Sequence, residues 1–249
     1  MNTITESQNS IPEMLEIWQQ TLNWQPNPIQ QQQFQQLYEL ILAANQHLNL
    51  TRITTPEDFW EKHLWDSLKG IAQLLNTSTT SPLRAIDIGT GGGFPGIPVA
   101  IALLNCHVTL LDSTRKKIAF LENLIPQLNL NNLTTLTGRA EEIGQQKQHR
   151  QAYDLALIRA VAPASVCAEY ALPLLKKNGL AILYRGQWTE EETKTLEEAV
   201  KQLGGVIDSI ETFTTPISQS QRTCLYLKKI TATPAYFPRP VGIPTQKPL

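Results

Sequence analysis

The spacing of hydrophobic residues changes partway along the chain. In the first part, apolar residues recur at helical intervals, which predicts one helix over residues 12–24, a second from Pro28 and a third over residues 56–75. In the second part, short apolar runs alternate with further helical patterns. The change predicts an N-terminal helical region, residues 1–82, followed by an α/β domain, residues 83–233.

Seven strands are predicted in the second part. Helical patterns separate the first five strands, which should therefore be parallel with right-handed crossovers. Only a loop, residues 214–222, separates the last two, which should form an antiparallel hairpin. This outline is typical of the seven-stranded, Rossmann-like sheet of class I methyltransferases, whereas a dinucleotide-binding sheet ends in parallel strands. The strands are predicted at residues 84–88, 107–112, 133–137, 153–158, 179–184, 206–213 and 223–230, and the helices between them at 96–104, 115–129, 163–176 and 189–203.

Composition and charge indicate the size of the core, the kind of partner and the cellular compartment. The chain has 249 residues, 41% of them hydrophobic, which suffices for one large core with an appended element. Its net charge of −1 gives no overall attraction to nucleic acid, so an RNA partner would need local basic patches. The polar N-terminus lacks a secretion signal, and no stretch reaches the ~20 apolar residues of a membrane span. We therefore expect a cytoplasmic protein that does not bind membranes.

The three cysteines, Cys106, Cys167 and Cys224, lie far apart and show no C-x-x-C spacing. A disulfide framework or a zinc site is therefore not expected, and a reducing cytosol fits this pattern. No cluster of His, Asp or Glu in the sequence indicates a bound metal ion. The sequence predicts a protein without a metal cofactor.

The densest motif is a glycine-rich loop between the first strand and the next helix. Gly91, Gly93 and Gly96 satisfy the dinucleotide fingerprint G-x-G-x-x-G. Asp87, Gly89, Gly91 and Gly93 satisfy the D-x-G-x-G-x-G pattern of S-adenosylmethionine enzymes. A purely structural turn is the remaining interpretation, but glycine is needed where backbone turns tightly or touches a ligand.

Electrostatics favours S-adenosylmethionine over a dinucleotide in this loop. A pyrophosphate binds free N–H groups at a helix N-terminus, where the Asp87 carboxylate would repel it. The same carboxylate suits a cofactor that carries an ammonium and a sulfonium group. Pro95 also removes one amide from a phosphate cradle. The predicted cofactor is therefore S-adenosylmethionine.

Two further positions after strands fit a bound adenosine. Asp112 ends the second predicted strand, where an acid can accept both ribose hydroxyls of NAD or of S-adenosylmethionine. Its alternative role is an ordinary helix cap before Arg115. Residues 139–141 (Arg-Ala-Glu) follow the third strand, where class I methyltransferases usually hold the adenine. Here the alternative is a solvated acidic turn with Glu142.

Missing motifs bear on the methyl acceptor. Residues 158–163 do not contain the [DN]-P-P-[YF] motif of amino-group nucleic-acid methyltransferases. Cys167 lies in a predicted helix and follows valine, so it fits a packed thiol better than the nucleophile of pyrimidine methylation. An acceptor that needs no strong base, such as guanine N7, therefore fits. Methyl transfer to N7 depends on alignment of the nitrogen, the methyl carbon and the sulfur more than on proton removal. This reasoning permits N7 without singling it out.

The chain closely resembles the RsmG (GidB) family, which methylates guanine N7 in bacterial 16S ribosomal RNA. The loop G-T-G-x-G-[FL]-P-G-[IL]-P is far more specific than a generic glycine loop. The resemblance implies S-adenosylmethionine as cofactor and 16S ribosomal RNA, or the small ribosomal subunit, as partner. The matching stretches are residues 49–51, 63–67, 87–98, 111–113, 120–121, 139–141, 159–160, 186–187, 236–239, 242–244 and 247–249, together with Lys117.

The resemblance also implies site residues. Asp87 and Gly91 belong to the glycine motif, and no residue is assigned to catalysis. His63 contacts either the substrate or a neighbouring helix, and Arg159 either approaches the cofactor, binds an RNA phosphate or forms a surface ion pair. The family commonly has lysine where this chain has Arg185, which leaves the role of that position open. Cofactor contacts fall on Gly89, Phe94, Asp112, Ser113, Thr114, Ala140, Glu141 and Arg159.

The proline-rich end of the chain, residues 234–249, shows neither helical nor strand periodicity and is predicted to be an extended tail. Aromatic and basic residues interleave there, which suits base stacking and phosphate contacts. We therefore expect Arg185 and Arg239 to form one positive RNA-binding surface near the methyl donor. In the alternative interpretation, Tyr236 and Phe237 only pack the tail onto the domain.

Three functions compete on this sequence. The first is a methyltransferase of 16S ribosomal RNA. The second is a small-molecule or protein methyltransferase with the same cofactor site. The third is a nucleotide-binding module without transfer activity. Labelled S-adenosylmethionine, offered with RNA, small subunits or cell extract, would separate them.

Overall fold

The computed structural model describes residues 10–77 and 81–249. The polar N-terminus, residues 1–9, and residues 78–80, at the end of the predicted N-terminal helical region, lie outside the described residues. In the part of the chain that is described, no helix is both long and apolar enough to cross a lipid bilayer.

The N-terminal part is helical. The second helix begins with a capping box between Asn27 and Gln30, and the glutamine-rich run is helical, with Gln30 buried and bonded to a backbone carbonyl. The third predicted helix is not continuous. The backbone leaves the helical conformation at Ile71, where φ is −108°, and the preceding Gly70 packs against the Tyr184 ring. The helices are α1 (Leu15–Leu22), α2 (Pro28–Leu48), α3 (Pro56–Phe59), a π-helical stretch (Trp60–Trp65), α4 (Asp66–Lys69) and α5 (Ala72–Leu75).

The C-terminal part is built on a seven-stranded sheet of order β3-β2-β1-β4-β5-β7-β6. Strands β1 to β5 are parallel, while β7 pairs antiparallel with both β5 and β6. The predicted α/β sheet of five parallel strands and a terminal hairpin is therefore confirmed. The strands are β1 (Leu83–Ile88), β2 (Cys106–Asp112), β3 (Leu133–Thr137), β4 (Tyr153–Arg159), β5 (Leu175–Arg185), β6 (Gly205–Thr214) and β7 (Gln221–Lys229).

Two of the helices predicted between strands end five residues earlier than expected. The helix expected over 115–129 ends at Leu124, and the one expected over 163–176 ends at Ala171. Each gives way to a short 3₁₀ turn that contains a proline, which lacks the N–H that an α-helix needs. The helices that follow the strands are α6 (Gly96–Ala102), α7 (Arg115–Leu124), α8 (Ala140–Ile143), α9 (Ala164–Ala171) and α10 (Glu190–Gln202), and the tail contains the single turn α11 (Ile243–Gln246).

Both faces of the sheet are buried in apolar clusters. Alternate residues of β1 and β4 enter opposite clusters, as the two-residue period of a strand requires. The first cluster contains Trp18, Phe34 and Trp60 from the N-terminal helices. The second contains residues of α9 and α10 together with Phe237 of the tail. The N-terminal helices and the tail thus pack on opposite faces of the same sheet.

Candidate functional site

A pocket of about 320 Å³ opens where β1, β2, β3 and β4 end at their carboxyl edge. This edge is where open α/β sheets bind their ligands. The loops after these four adjacent strands supply most of its walls, so residues that are distant in sequence become neighbours. The structure brings six of the predicted cofactor residues into this lining: Gly89, Asp112, Ser113, Thr114, Ala140 and Glu141.

Glycine is required in the loop after β1 for two physical reasons. Gly89 has a φ of +73°, and a Cβ atom there would lie 2.5 Å from the Val161 side chain. Gly93 has a φ of +98°, and its Cβ atom would lie 2.3 Å from Ile97. Both positions combine left-handed backbone with close packing, which other residues cannot adopt without strain. The loop can therefore pass close to whatever occupies the pocket.

Asp87 lies beneath this loop and is completely buried. Its Oδ2 atom accepts hydrogen bonds from the Gly96 N–H at 2.8 Å and the Thr90 hydroxyl at 2.6 Å. Its Oδ1 atom has no hydrogen-bond partner among the described residues. Burial raises the pKa of Asp87 to about 6, despite these bonds. The carboxylate thus supports the loop from below rather than lining the pocket, and it keeps acceptor capacity unused.

Asp112 connects two loops at the rim of the pocket. Its Oδ2 atom accepts from the Gly91 N–H at 3.0 Å, and its Oδ1 atom accepts from the Thr114 N–H at 2.8 Å. The Lys117 ammonium lies 4.0 Å from Oδ2. Thr114, not Asp112, occupies the N-cap position of α7, so the simple helix-cap interpretation is wrong. Each carboxylate oxygen retains a further lone pair for a ligand hydroxyl.

Glu141 forms the opposite wall and is 3% exposed. Its Oε1 atom accepts from Arg139 at 2.8 Å, from the Tyr170 hydroxyl at 3.2 Å and from the Gly242 N–H at 3.2 Å. Burial acts to raise the pKa of Glu141, but the hydrogen bonds from Arg139 and from backbone N–H groups, with the charge of Arg139, outweigh it and hold the pKa below its usual value. Glu141 is therefore a buried, ionised acceptor, and the solvated acidic turn considered for this position is wrong.

Arg159 ends β4 and points toward the N-terminal helices. Its Nη1 atom donates to the Asp66 carboxylate at 3.0 Å and to the Lys62 carbonyl at 2.8 Å. Its guanidinium lies 5.8 Å from the centre of the Phe94 ring. The side chains of Arg159 and Asp66 are 15% and 8% exposed, so this ion pair is largely shielded from water. Neither Arg159 nor Phe94 belongs to the lining of the pocket.

His63 packs beside Arg159 and Phe94. Its ring stacks on Phe94 with 4.2 Å between ring centres, and its Nε2 atom lies 2.9 Å from the Thr51 hydroxyl. Burial, followed by the charges of Arg159 and Lys62, lowers the pKa of His63 to about 3. The imidazole is therefore neutral at physiological pH. The structure supports the helix-packing role that was considered for His63.

The two arginines predicted to bind RNA both have protein partners. Arg185 ends β5, and its Nη2 atom donates to the Ala162 carbonyl at 2.7 Å. Its Nε atom is buried without a partner among the described residues, beside a second groove that includes Trp188. Arg239 forms an ion pair of 2.6 Å with the fully buried Glu169. Whether either arginine also contacts RNA stays a prediction.

The cysteines do not form a reactive group. All three are free and buried. Burial raises the pKa of the Cys167 thiol, which opposes formation of a nucleophilic thiolate. Within residues 10–77 and 81–249, no group of three His, Cys, Asp or Glu side chains could hold a metal ion.

Sequence reasoning missed several pocket residues. Tyr170 reaches Glu141 from α9, and Thr245 reaches the lining from the tail. Ala160 and Val161 line the pocket after β4, where Ala160 adopts a left-handed φ of +56°. Tyr170 and Thr245 carry no local signal, because tertiary packing alone brings them here. The position of residues 160–161 directly after a parallel strand could have indicated them.

Comparison with known sequences identifies close relatives. A family model described as "GidB: rRNA small subunit methyltransferase G" matches residues 30–223. A protein of Nostoc punctiforme named ribosomal RNA small subunit methyltransferase G is 66% identical, over 97% of this chain and 99% of its own length. The protein of the same name from Trichodesmium erythraeum is 58% identical, over 96% of this chain and 94% of its own length. The one from Microcystis aeruginosa is 55% identical, over 88% of this chain and 99% of its own length.

Solved structures share the fold at low sequence identity. An S-adenosylmethionine-dependent methyltransferase from Methanosarcina mazei aligns with 63% of this chain and 97% of its own, at a TM-score of 0.50 and 14% identity. M. jannaschii TYW2, solved in complex with AdoMet, aligns with 64% of this chain and 74% of its own, at a TM-score of 0.50 and 13% identity. These similarities support the methyltransferase-type sheet.

Proposed function

Since this chain belongs to the family of rRNA small subunit methyltransferase G, we propose that it transfers a methyl group from S-adenosylmethionine to guanine N7 of 16S ribosomal RNA. The observation that carries the proposal is the pocket at the carboxyl edge of the sheet, where a glycine loop meets two buried carboxylates, Asp112 and Glu141. The region over residues 83–233 would bind the cofactor. A ribosomal substrate would place the enzyme in the cytoplasm.

The donor set of the pocket fits S-adenosylmethionine. Asp112 would hold the ribose hydroxyls through the unused lone pairs of its carboxylate. Ala140 and Glu141 would border the adenine. The two cations in the lining, Lys117 and Arg139, each face one of these carboxylates. An anionic pyrophosphate would therefore find little unpaired positive charge here, whereas a cationic cofactor would be attracted.

The amino-acid end of the cofactor would lie near the loop after β1. Gly89 would border it, with Ser113 and Thr114 before α7, while Gly91 and Phe94 of the same loop lie outside the pocket lining. Asp87 would contribute negative charge from below, which favours the ammonium and sulfonium groups. When bound, S-adenosylmethionine supplies an electrophilic methyl carbon on its sulfonium sulfur.

The chemistry at the acceptor needs alignment more than a base. Guanine N7 carries a free lone pair and loses no proton on methylation, so the protein contributes mainly orientation and exclusion of water. The pKa of about 3 makes the buried His63 imidazole a weak base, which is consistent with a site that uses no general base there. Arg159 would border the acceptor side, next to Phe94.

Incorporation of labelled methyl groups tests the function. Purified protein is incubated with radiolabelled S-adenosylmethionine and either naked 16S RNA, small ribosomal subunits, or an RNA-free extract of protein and small molecules. We expect label in 16S RNA at a single guanine, which is cleaved after borohydride reduction as N7-methylguanine is. Label confined to the RNA-free extract would instead support a small-molecule or protein methyltransferase.

A further inference from the structure

The tail, residues 234–249, is fastened across the second face of the sheet. Arg150 donates from one side of its guanidinium to the Phe237 carbonyl at 2.7 Å. From the other side it donates to the carbonyls of Thr233 at 2.9 Å and Pro234 at 3.1 Å. Phe237 is 3% exposed within the second apolar cluster. The first part of the tail therefore follows a fixed path.

The next contact joins Arg239 to Glu169 on α9. Arg239 donates from its backbone N–H at 2.7 Å, from Nε at 2.9 Å and from Nη2 at 2.6 Å. The Glu169 side chain is fully buried, and Arg239 supplies all of its hydrogen bonds among the described residues. A buried carboxylate with a single partner strongly favours the position in which that partner is present. This pair therefore fixes where the tail lies along α9.

Beyond Arg239 the tail turns into the pocket. Gly242 has a φ of +84°, and its N–H donates to Glu141 at 3.2 Å. Three residues further on, Thr245 lies in the pocket lining, and its hydroxyl donates to the Gly242 carbonyl at 2.9 Å. The tail thus contributes one donor to the pocket carboxylate and one side chain to the pocket wall.

We propose that the tail is a wall of the cofactor site, in which Thr245 contacts the nucleoside of S-adenosylmethionine and Arg239 acts as a positioning residue. Arg239 acts through the Glu169 contact, which sets the position of Gly242 on Glu141. This inference rests on the proposed function, because it assumes that the pocket binds S-adenosylmethionine. It gives Arg239 a role in cofactor affinity that is separate from contact with RNA.

Substitution of Thr245 tests the wall directly. Thr245 is exposed, so Thr245→Trp should leave the fold intact while it fills part of the pocket. Titration calorimetry without RNA should show the Kd for S-adenosylmethionine raised about tenfold or more. Gln246→Trp is the matched control, since residue 246 is exposed and lies outside the lining. Equal Kd values of the two tryptophan variants for S-adenosylmethionine would overturn the proposal that the tail forms a wall of the cofactor site.

Substitution of the Arg239–Glu169 pair tests the positioning role. Arg239→Gln is combined with Glu169→Gln so that no buried charge is left unpaired, and Lys247→Gln, an exposed cation of the same tail, is the control. We expect the Kd for S-adenosylmethionine of the double variant to rise about fivefold or more. The single variant Arg239→Lys, which keeps a cation opposite Glu169, should show a smaller rise. The KM for 16S RNA at saturating S-adenosylmethionine should stay within about twofold of the wild type.

The opposite pattern would refute this role. A raised KM for RNA with an unchanged Kd for S-adenosylmethionine would make Arg239 an RNA contact and overturn the inference. Failure of the wild-type protein to bind S-adenosylmethionine would refute the proposed function and the inference together. Binding and methylation by the wild type, with an unchanged Kd in the Thr245 and Arg239 variants, would refute the inference alone.

Discussion

Asp112 combines a structural and a binding role in one carboxylate. It already accepts the N–H groups of Gly91 and Thr114, and it lines the pocket. If it also accepts the ribose hydroxyls, Asp112→Ala should weaken S-adenosylmethionine binding by roughly 1.5–3 kcal/mol, the range of hydrogen bonds to a charged group. Calorimetry measures this change. Asp208→Ala, at an exposed position of β6, is the control that should leave binding unaltered.

The fold of the Asp112 variant must be verified by its melting curve. A folded Asp112→Ala protein that binds S-adenosylmethionine as tightly as the wild type would leave Asp112 with only its two backbone contacts. Loss of affinity in a variant that still unfolds in one cooperative transition would support the ribose role.

Asp87 should make stability depend on pH. Its pKa in the folded protein is about 6, above the unfolded value of 3.8, so the folded state holds a proton that the unfolded state has released between these values. The stabilisation of the folded state by protonated Asp87 is therefore fully present below about pH 4 and is lost as pH rises through 6. The unfolding free energy of the wild type, relative to Asp87→Asn, should fall by about 2 kcal/mol from pH 4 to pH 7.

Urea denaturation of both proteins at several pH values measures this difference. The asparagine variant is the reference because it keeps an oxygen acceptor for Gly96 and Thr90 but cannot titrate. A difference that stays constant over this range would show that Asp87 does not change its protonation there.

Individual site residues could be predicted only where they follow a strand closely. Asp112, Ala140 and Glu141 stand directly at or after strand ends, and the structure brings them into one pocket. Tyr170 and Thr245 come from a helix and a tail that reach the pocket through packing, which leaves no local pattern. The partners of Arg159 and Arg239 were hidden for the same reason, because Asp66 and Glu169 lie on elements distant in sequence.

At the scale of elements, the loop after β1 depends on its left-handed glycines. Gly89→Ala should cost about 1–2 kcal/mol for the backbone conformation alone and should also displace Val161. Because both residues line the pocket, S-adenosylmethionine binding should weaken together with stability. Gly186→Ala is a matched control, since a Cβ atom there meets nothing within 4 Å and Gly186 is not among the residues of positive φ.

Thermal melting and calorimetry measure the two effects. Equal stability and equal affinity of the Gly89→Ala and Gly186→Ala proteins would contradict this account of the loop.

Most strands could be predicted because they are short apolar runs bounded by polar residues. The reversal of the last strand pair followed from the short loop between them, and it is confirmed. The errors lie at helix ends and at the start of β5, which begins at Leu175 and not at residue 179. Pro126 and Pro173 end helices whose apolar spacing continues past them, and the third predicted helix breaks at Ile71. The two prolines could have been recognised in the sequence, whereas no local pattern marks the break at Ile71.

At the scale of the whole molecule, cofactor choice can be tested without RNA. S-adenosylmethionine or its demethylated product should raise the melting temperature, because a ligand of the native state stabilises it by mass action. NAD should not, because the pocket cations Lys117 and Arg139 already face carboxylates. A shift with NAD and none with S-adenosylmethionine would contradict the methyltransferase function.

A chain of net charge −1 must hold RNA through local positive charge. Arg185→Glu should raise the RNA concentration needed for half-maximal methylation and leave S-adenosylmethionine affinity unchanged. RNA binding by the wild type should weaken as salt rises, because phosphate contacts release counterions. Wild-type rates for Arg185→Glu at limiting RNA would place the RNA surface elsewhere, for example on the N-terminal helices.

The contact of the tail with the pocket also bears on biosynthesis. A ribosome makes the chain from its N-terminus, so all seven strands leave it before Thr245 does. A chain whose sheet has formed before the tail docks therefore still has a pocket open on the side where the tail will lie. Tight capture of a ligand by this pocket should follow emergence of the tail, and it should not guide the folding of the sheet during translation.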